Sequence, residues 1–237
     1  MKLHQLTALL AFLACQAPIS QAHEQMHDHG DNPLLTYLLI DHLEWQHGDD
    51  TTAALEGEAW IGKDLNKLWL KTDITQQHGH TEEAELQALY SRALTPFWDV
   101  QTGLLHSHEP KPTRDWAVIG FKGLTPYWFE LDTALLIGQG GNIAARFKAE
   151  YELLFTQQLI LTPDIELNMF GQNDVATGTH AGLSQAKAGL RLRYEICREF
   201  APYIGVNWLH TKSSDWAKTQ EEDSSGTKLV LGVHAWF

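Results

Sequence analysis

Residues 67–74 read Lys67-Leu68-Trp69-Leu70-Lys71-Thr72-Asp73-Ile74. Leu68, Leu70, Thr72 and Ile74 share one parity, and Lys67, Trp69, Lys71 and Asp73 share the other. Only an extended strand, whose side chains alternate between faces, sorts residues at this period. The alternation recurs in 55–61, 84–94, 100–106, 129–137, 143–153 and 186–194, and more weakly near 34–45, 116–123, 159–170, 202–209 and 228–237. The pattern predicts about twelve strands of about nine to eleven residues each.

The links between these strands alternate in length. Short ones fall at 62–66, 95–98, 124–127, 155–158 and 196–200, and longer polar ones near 46–52, 75–83, 107–114, 138–142, 171–183 and 211–226. Trimmed turns at one end and loops at the other belong to outer-membrane barrels. Pro96-Phe97-Trp98, Pro126-Tyr127-Trp128 and Pro202-Tyr203 each follow a short turn. That position tolerates Pro and suits aromatic rings at a membrane interface.

In 143–153 Ile143, Ala145, Phe147, Ala149, Tyr151 and Leu153 oppose Arg146, Lys148, Glu150 and Glu152. A soluble barrel buries its apolar face and a membrane barrel inverts that arrangement, so the alternation by itself fits both. The C-terminus separates them: Leu229, Leu231, Val233, Ala235 and Phe237 form an apolar alternate set ending on Phe, as expected of a last strand presented for outer-membrane insertion. The fold expected is all-β, an antiparallel transmembrane β-barrel of about twelve strands over residues 34–237.

The N-terminus fits a secretory protein. Lys2, the apolar stretch 6–14 and the small-residue site Ser20-Gln21-Ala22 read as a signal peptide over 1–22, and 23–33 as a His-containing flexible tail. Cys15 leaves with the signal unless it is a lipidation site, so Cys197 stands without an internal disulfide partner. The 237 residues carry a formal net charge of −13, which argues against a nucleic-acid partner. No stretch offers the roughly 20 consecutive apolar residues of a spanning helix. That excludes a helical membrane protein and leaves a barrel among outer-membrane lipid.

Chemistry is concentrated in His. The chain has 13, and only His4 precedes residue 23. His23, Met26, His27 and His29 lie within the seven residues 23–29, with Glu24 and Asp28 between them. A flexible segment of this kind closes readily on Cu(II). His47, His78, His80, His106, His108, His180 and His210 fall in or beside the long links. His78-Gly79-His80 and His106-Ser107-His108 are the better candidates, because HxH in an extended segment puts both rings on one side. His42 and His234 lie within strands, and the parity of His234, opposite to Phe237, points it into the lumen.

The lumen face as threaded also holds Glu56, Glu58, Lys71, Asp73, Glu85, Asp99, Glu130, Asp132, Arg146, Lys148, Glu150, Glu152, Asp164, Glu166, Arg191, Arg193 and Glu195. Charges so placed must pair or stay hydrated. Their acid excess also suits cation passage. Ser107 lies between two His, but neighbours on a strand face opposite ways, so neither is placed to take its proton. No catalytic motif is present, and no enzymatic activity is expected.

The stretches LEGEAWIGKDLNKLWLK from Leu55, AELQALYSRALTPFWDVQTG from Ala84, GLTPYWFELD from Gly123, AEYELLFTQQLILTP from Ala149 and LRLRYEICREFAPYIGV from Leu190 resemble the copper-resistance protein B family of bacterial outer membranes. The resemblance implies an outer-membrane barrel in copper tolerance, with the copper ion as its ligand. It also implies periplasmic copper proteins as partners, including a multicopper oxidase. Two departures stand out. Family members commonly carry a long Met-rich and His-rich tail, here reduced to His23–His29 with one Met, which favours Cu(II) over Cu(I). Cys197 stands where the family's turn is expected to have a polar or basic residue. The alternative left open is a general porin or structural scaffold with incidental His content.

Overall fold

The computed structural model describes residues 33–48, 51–109, 112–173, 179–212 and 224–237. The expected signal peptide and the tail residues His23, Met26, His27 and His29 lie outside the described residues. The described residues form one closed antiparallel sheet. Its strands are β1 (Leu35–His47), β2 (Thr51–Lys63), β3 (Asn66–Gln77), β4 (His80–Thr95), β5 (Trp98–Glu109), β6 (Arg114–Leu124), β7 (Glu130–Gly138), β8 (Ile143–Glu150), β9 (Leu153–Leu154), β10 (Leu159–Phe170), β11 (Gly182–Tyr194), β12 (Phe200–Thr211) and β13 (Ser224–Trp236). Apart from β8 and β9, which both pair with β10, each strand pairs with its sequence neighbours, and β13 returns to β1, which closes the cylinder.

The thirteen segments make twelve staves, because β8 and β9 are one strand interrupted. Both pair with β10 in unbroken register, Asp164 opposite Glu150 and Leu161 opposite Leu153. Pro163 is the cause of the gap. Its carbonyl accepts from Tyr151 N at 3.1 Å, but it has no N–H to return the bond, so the ladder lapses for two residues.

The alternation read from the sequence becomes an inside and an outside. Leu68, Leu70, Leu104, Ile119, Ile204, Leu229 and Leu231 are exposed on the outer surface, while the charged residues of the opposite parity line the interior and pair across it. The apolar residues therefore face outward, as a hydrocarbon surround requires. Phe97, Tyr127, Trp128 and Phe155, at the short-turn end, are 62–83% exposed, which places aromatic rings at one membrane–water boundary. Pro202-Tyr203 departs from that pattern: Tyr203 is 3% exposed and donates to Glu44 inside the barrel.

The strands also run longer than expected, up to 16 residues in β4. The segment 75–83, expected as a loop, is a tight hairpin in which His78 and Gly79 form the turn, with φ of 51° and 79°, and Glu82 is a surplus residue in the ladder. Two successive left-handed residues are the signature of a type I′ turn, whose twist matches the strands it joins.

Candidate functional site

The barrel interior divides in two. Toward the short turns it is packed. Trp60 and Trp69 lie 6.1 Å apart, Tyr37 stacks on Trp60 at 6.0 Å, and the Lys122 ammonium sits 4.8 Å over the Trp69 ring. Lys122 donates to Glu58 at 2.7 Å, and Lys71 donates to Asp132 at 2.5 Å and to Gln101 at 3.0 Å. Leu89, Ser91, Gln101 and Trp69 are all buried here. Charges in this half are thus neutralised across the lumen by side chains from distant strands, as buried ions must be.

Toward the long links the interior opens into a cavity of about 460 Å³. Its walls include Gln77, Glu83, Ser107, Asn142 and Lys228, and its floor is formed by His42, Glu56, Lys148, Asp164 and Arg191. Arg191 joins two strands there: it donates to Glu44 at 3.3 Å and, at short range, to Asp164. Glu44 also accepts from Tyr203 and Asn207 at 3.0 Å each.

A β-bulge in β1 builds the floor's second feature. Ile40 pairs with Gly57 and His42 with Glu56, so Asp41 is an extra residue in the ladder. A bulge re-aims side chains. Before it Leu38 and Ile40 face outward, and after it Leu43 and Trp45 do, so Asp41 and His42 both turn inward although adjacent. Asp41, His42 and Glu56 each present a ligand atom within 4.8 Å of the others, the group of that kind found among the described residues. Asp41 Oδ1 is 3.3 Å from His234 Nδ1, and Asp41 Oδ2 is 3.3 Å from His42 Nδ1.

The residues nominated from the sequence are distributed unevenly around this arrangement. His234 points into the lumen as its parity required, against Asp41. His78 lies in the turn and His80 opens β4, so the two do not share one extended segment. His106 and His108 do share one face of β5, but it is the exposed outer face: His106 Nδ1 is 2.7 Å from Asp115. Ser107 faces the cavity, away from both. Most threaded lumen charges point inward and pair, including Glu85 with Arg146 at 2.8 Å and Glu152 with Arg193.

Sequence reasoning missed Asp41, Glu44, Lys122 and Lys187 as lumen charges, and it left His42 without a role. For Asp41 and His42 a signal existed. The outward apolar parity slips from Ile40 to Leu43, a step of three where a regular strand steps by two.

Comparison with known proteins bears on what this barrel serves. Residues 34–237 match the family model described as Copper resistance protein B precursor. The chain is 41% identical over 216 residues to Copper resistance protein B of Escherichia coli, covering 90% of this chain and 73% of that protein. It is 40% identical over 221 residues to the Copper resistance protein B homolog of Pseudomonas syringae pv. tomato, covering 92% of this chain and 74% of that protein. Among solved structures it is similar to the NanC porin, with a TM-score of 0.57 at 13% identity over 85% of this chain and 99% of that one. It is also similar to the KdgM porin in complex with disordered oligogalacturonate, with a TM-score of 0.52 at 11% identity over 86% and 99%. At such low identity the likeness is one of fold. Taken together, the closed barrel with its apolar exterior and the family match over all its strands place the protein in the Gram-negative outer membrane, with a role in copper resistance. The chain belongs to the copper-resistance protein B family.

Proposed function

We propose that this barrel binds copper ions directly and that binding is how it contributes to resistance. The observation that carries the reading is the β1 bulge. In a chain of this family it turns an imidazole and a carboxylate inward together and sets them beside Glu56, on the floor of a cavity open toward the long links. Imidazole with carboxylates is a borderline donor set that suits Cu(II) at neutral pH. His23, Met26, His27 and His29, ahead of the barrel in the sequence, supply a second donor set. His78 and His80 lie at the loop end, where they meet an ion before it reaches the floor, and His106 and His108 offer imidazoles on the outer face of β5 at the same end.

Copper held this way would be passed to, or received from, a periplasmic partner, with a multicopper oxidase as the expected one. A general porin, the other reading the sequence leaves open, is disfavoured by the packed short-turn half, where Trp60, Trp69, Lys71 and Lys122 occupy the path of a through-channel. The role proposed is non-catalytic, since Ser107 faces away from both neighbouring His.

The test is Cu(II) titration of the full-length protein refolded in detergent, with a competing chelator, beside a variant carrying Ala at His23, Met26, His27 and His29. The unaltered protein should bind more copper than the variant, and the variant should still bind. A full-length protein that takes up no copper at neutral pH refutes the reading. Binding that the four substitutions leave unchanged makes the tail a spacer.

A further inference from the structure

Two carboxylates and one imidazole meet at the cavity floor with a single ammonium among them. Lys148 pairs with Glu56 at short range and stands 3.6 Å from Asp41 Oδ2. His42 is 7% exposed, and its Nδ1 has no hydrogen-bond partner although it lies 3.3 Å from Asp41 Oδ2 and 4.0 Å from Glu56 Oε2. At 3.3 Å the ring nitrogen is near enough to Asp41 but not in line with it, and a buried polar atom left without a bond is rare in a native fold. A cation between the imidazole and the two carboxylates, whose ligand atoms lie within 4.8 Å of one another, would satisfy Nδ1.

The charges agree with this. Asp41 and Glu56 bring two negative charges and Lys148 returns one, so the floor is under-neutralised with the ammonium in place. A divalent ion in its stead balances the pair. Lys148 also has somewhere to go. It sits on β8 directly across from Asp132 of β7 and from Glu166 of β10, and its four-carbon stem is flexible. His234, on the far side of Asp41, holds that carboxylate in place, as an outer partner of a metal-binding carboxylate does.

We propose that the β1 bulge is a cation-exchange site: one divalent ion of borderline softness, Cu(II) foremost, binds His42 Nδ1 and the carboxylates of Asp41 and Glu56 by displacing the Lys148 ammonium toward Asp132 or Glu166. The choice of copper rests on the copper-binding reading above. The exchange itself rests on the floor geometry. Lys148 on this view keeps the empty site neutral enough to fold and sets its affinity, so that removing the ammonium should strengthen metal binding.

The experiment uses the full chain with Ala at His23, Met26, His27 and His29, so that Cu(II) as the probe reports on the barrel. Titration against a chelator is combined with electron paramagnetic resonance. The expected result is one tightly bound Cu(II) with nitrogen coupling. His42→Gln should weaken it at least 30-fold and abolish that coupling, and Lys148→Met should tighten it about tenfold or more. Lys148→Gln serves as a second variant in which a polar side chain remains, and heat-modifiable gel mobility confirms that each barrel is folded. A Lys148 with a purely structural role predicts the opposite, folded variants that bind copper no better than the parent, and that result overturns the proposal. Binding unaffected by His42→Gln overturns it equally. Lys148 variants that bind no better while His42→Gln still weakens uptake remove the exchange and leave direct copper binding by the barrel standing, whereas copper bound by the unaltered chain but not by the tail-substituted one removes both and leaves the metal to the tail.

Discussion

Arg191→Met should destabilise the barrel by an amount the structure allows one to bound. The guanidinium is 9% exposed and faces Glu44, whose side chain is 2% exposed, through three contacts at 3.3 Å, while its other arm holds Asp164. Removing one partner of a buried ion pair costs about 3–5 kcal/mol, because the other charge stays desolvated. Glu44 keeps neutral donors from Gln46 at 2.7 Å and from Tyr203 and Asn207 at 3.0 Å. The lower end of that range therefore applies, about 3 kcal/mol, or a loss of roughly 100-fold in the folded-to-unfolded ratio. Urea unfolding of protein in lipid vesicles, followed by tryptophan fluorescence, measures it. The triple variant Arg191→Met, Glu44→Gln, Asp164→Asn removes the stranded charges as well and should recover most of the loss, since coupled substitutions in one network are not additive. A single variant that costs less than about 1 kcal/mol, or a triple variant no better than the single, would show that the floor is wet and that this network does not hold the strands together.

Trp69→Ala should cost about 3–5 kcal/mol, as other large aromatic truncations do, and should raise single-channel conductance in planar bilayers by opening the short-turn half. Conductance unchanged from the parent would mean that Trp69 does not block the path. Gly232→Ala should destabilise by about 1–3 kcal/mol through overpacking, because a Cβ there would meet Tyr203 at 2.5 Å and Glu44 Cβ at 2.8 Å; a melting temperature within error of the parent would contradict this. Gly79→Ala meets no neighbour within 4 Å, so its cost should be only that of a left-handed backbone, about 1–2 kcal/mol. Chemical denaturation of the folded barrel should show that smaller loss, with metal binding unchanged.

Period-two alternation was enough to make the described residues a barrel. The physical reason is local: a strand puts neighbours on opposite faces whatever it packs against, so Leu68 and Leu70 must part from Lys67 and Lys71. The C-terminal set ending in Phe237 then chose which face meets lipid. Parity likewise sent His234, Arg146 and Lys148 inward. Pairing was not legible, because Lys148 meets Glu56 and Lys71 meets Asp132 across strands 92 and 61 residues apart, and that depends on how the cylinder closes. Nor was the floor site, since one extra residue in β1 breaks the parity rule and turns Asp41 and His42 to the same side. Sequence carries a trace of that slip in the Ile40-to-Leu43 step. Only the ladder to β2 and β13 fixes where the surplus residue falls, and with it the meeting of His42, Asp41 and Glu56 beneath the cavity.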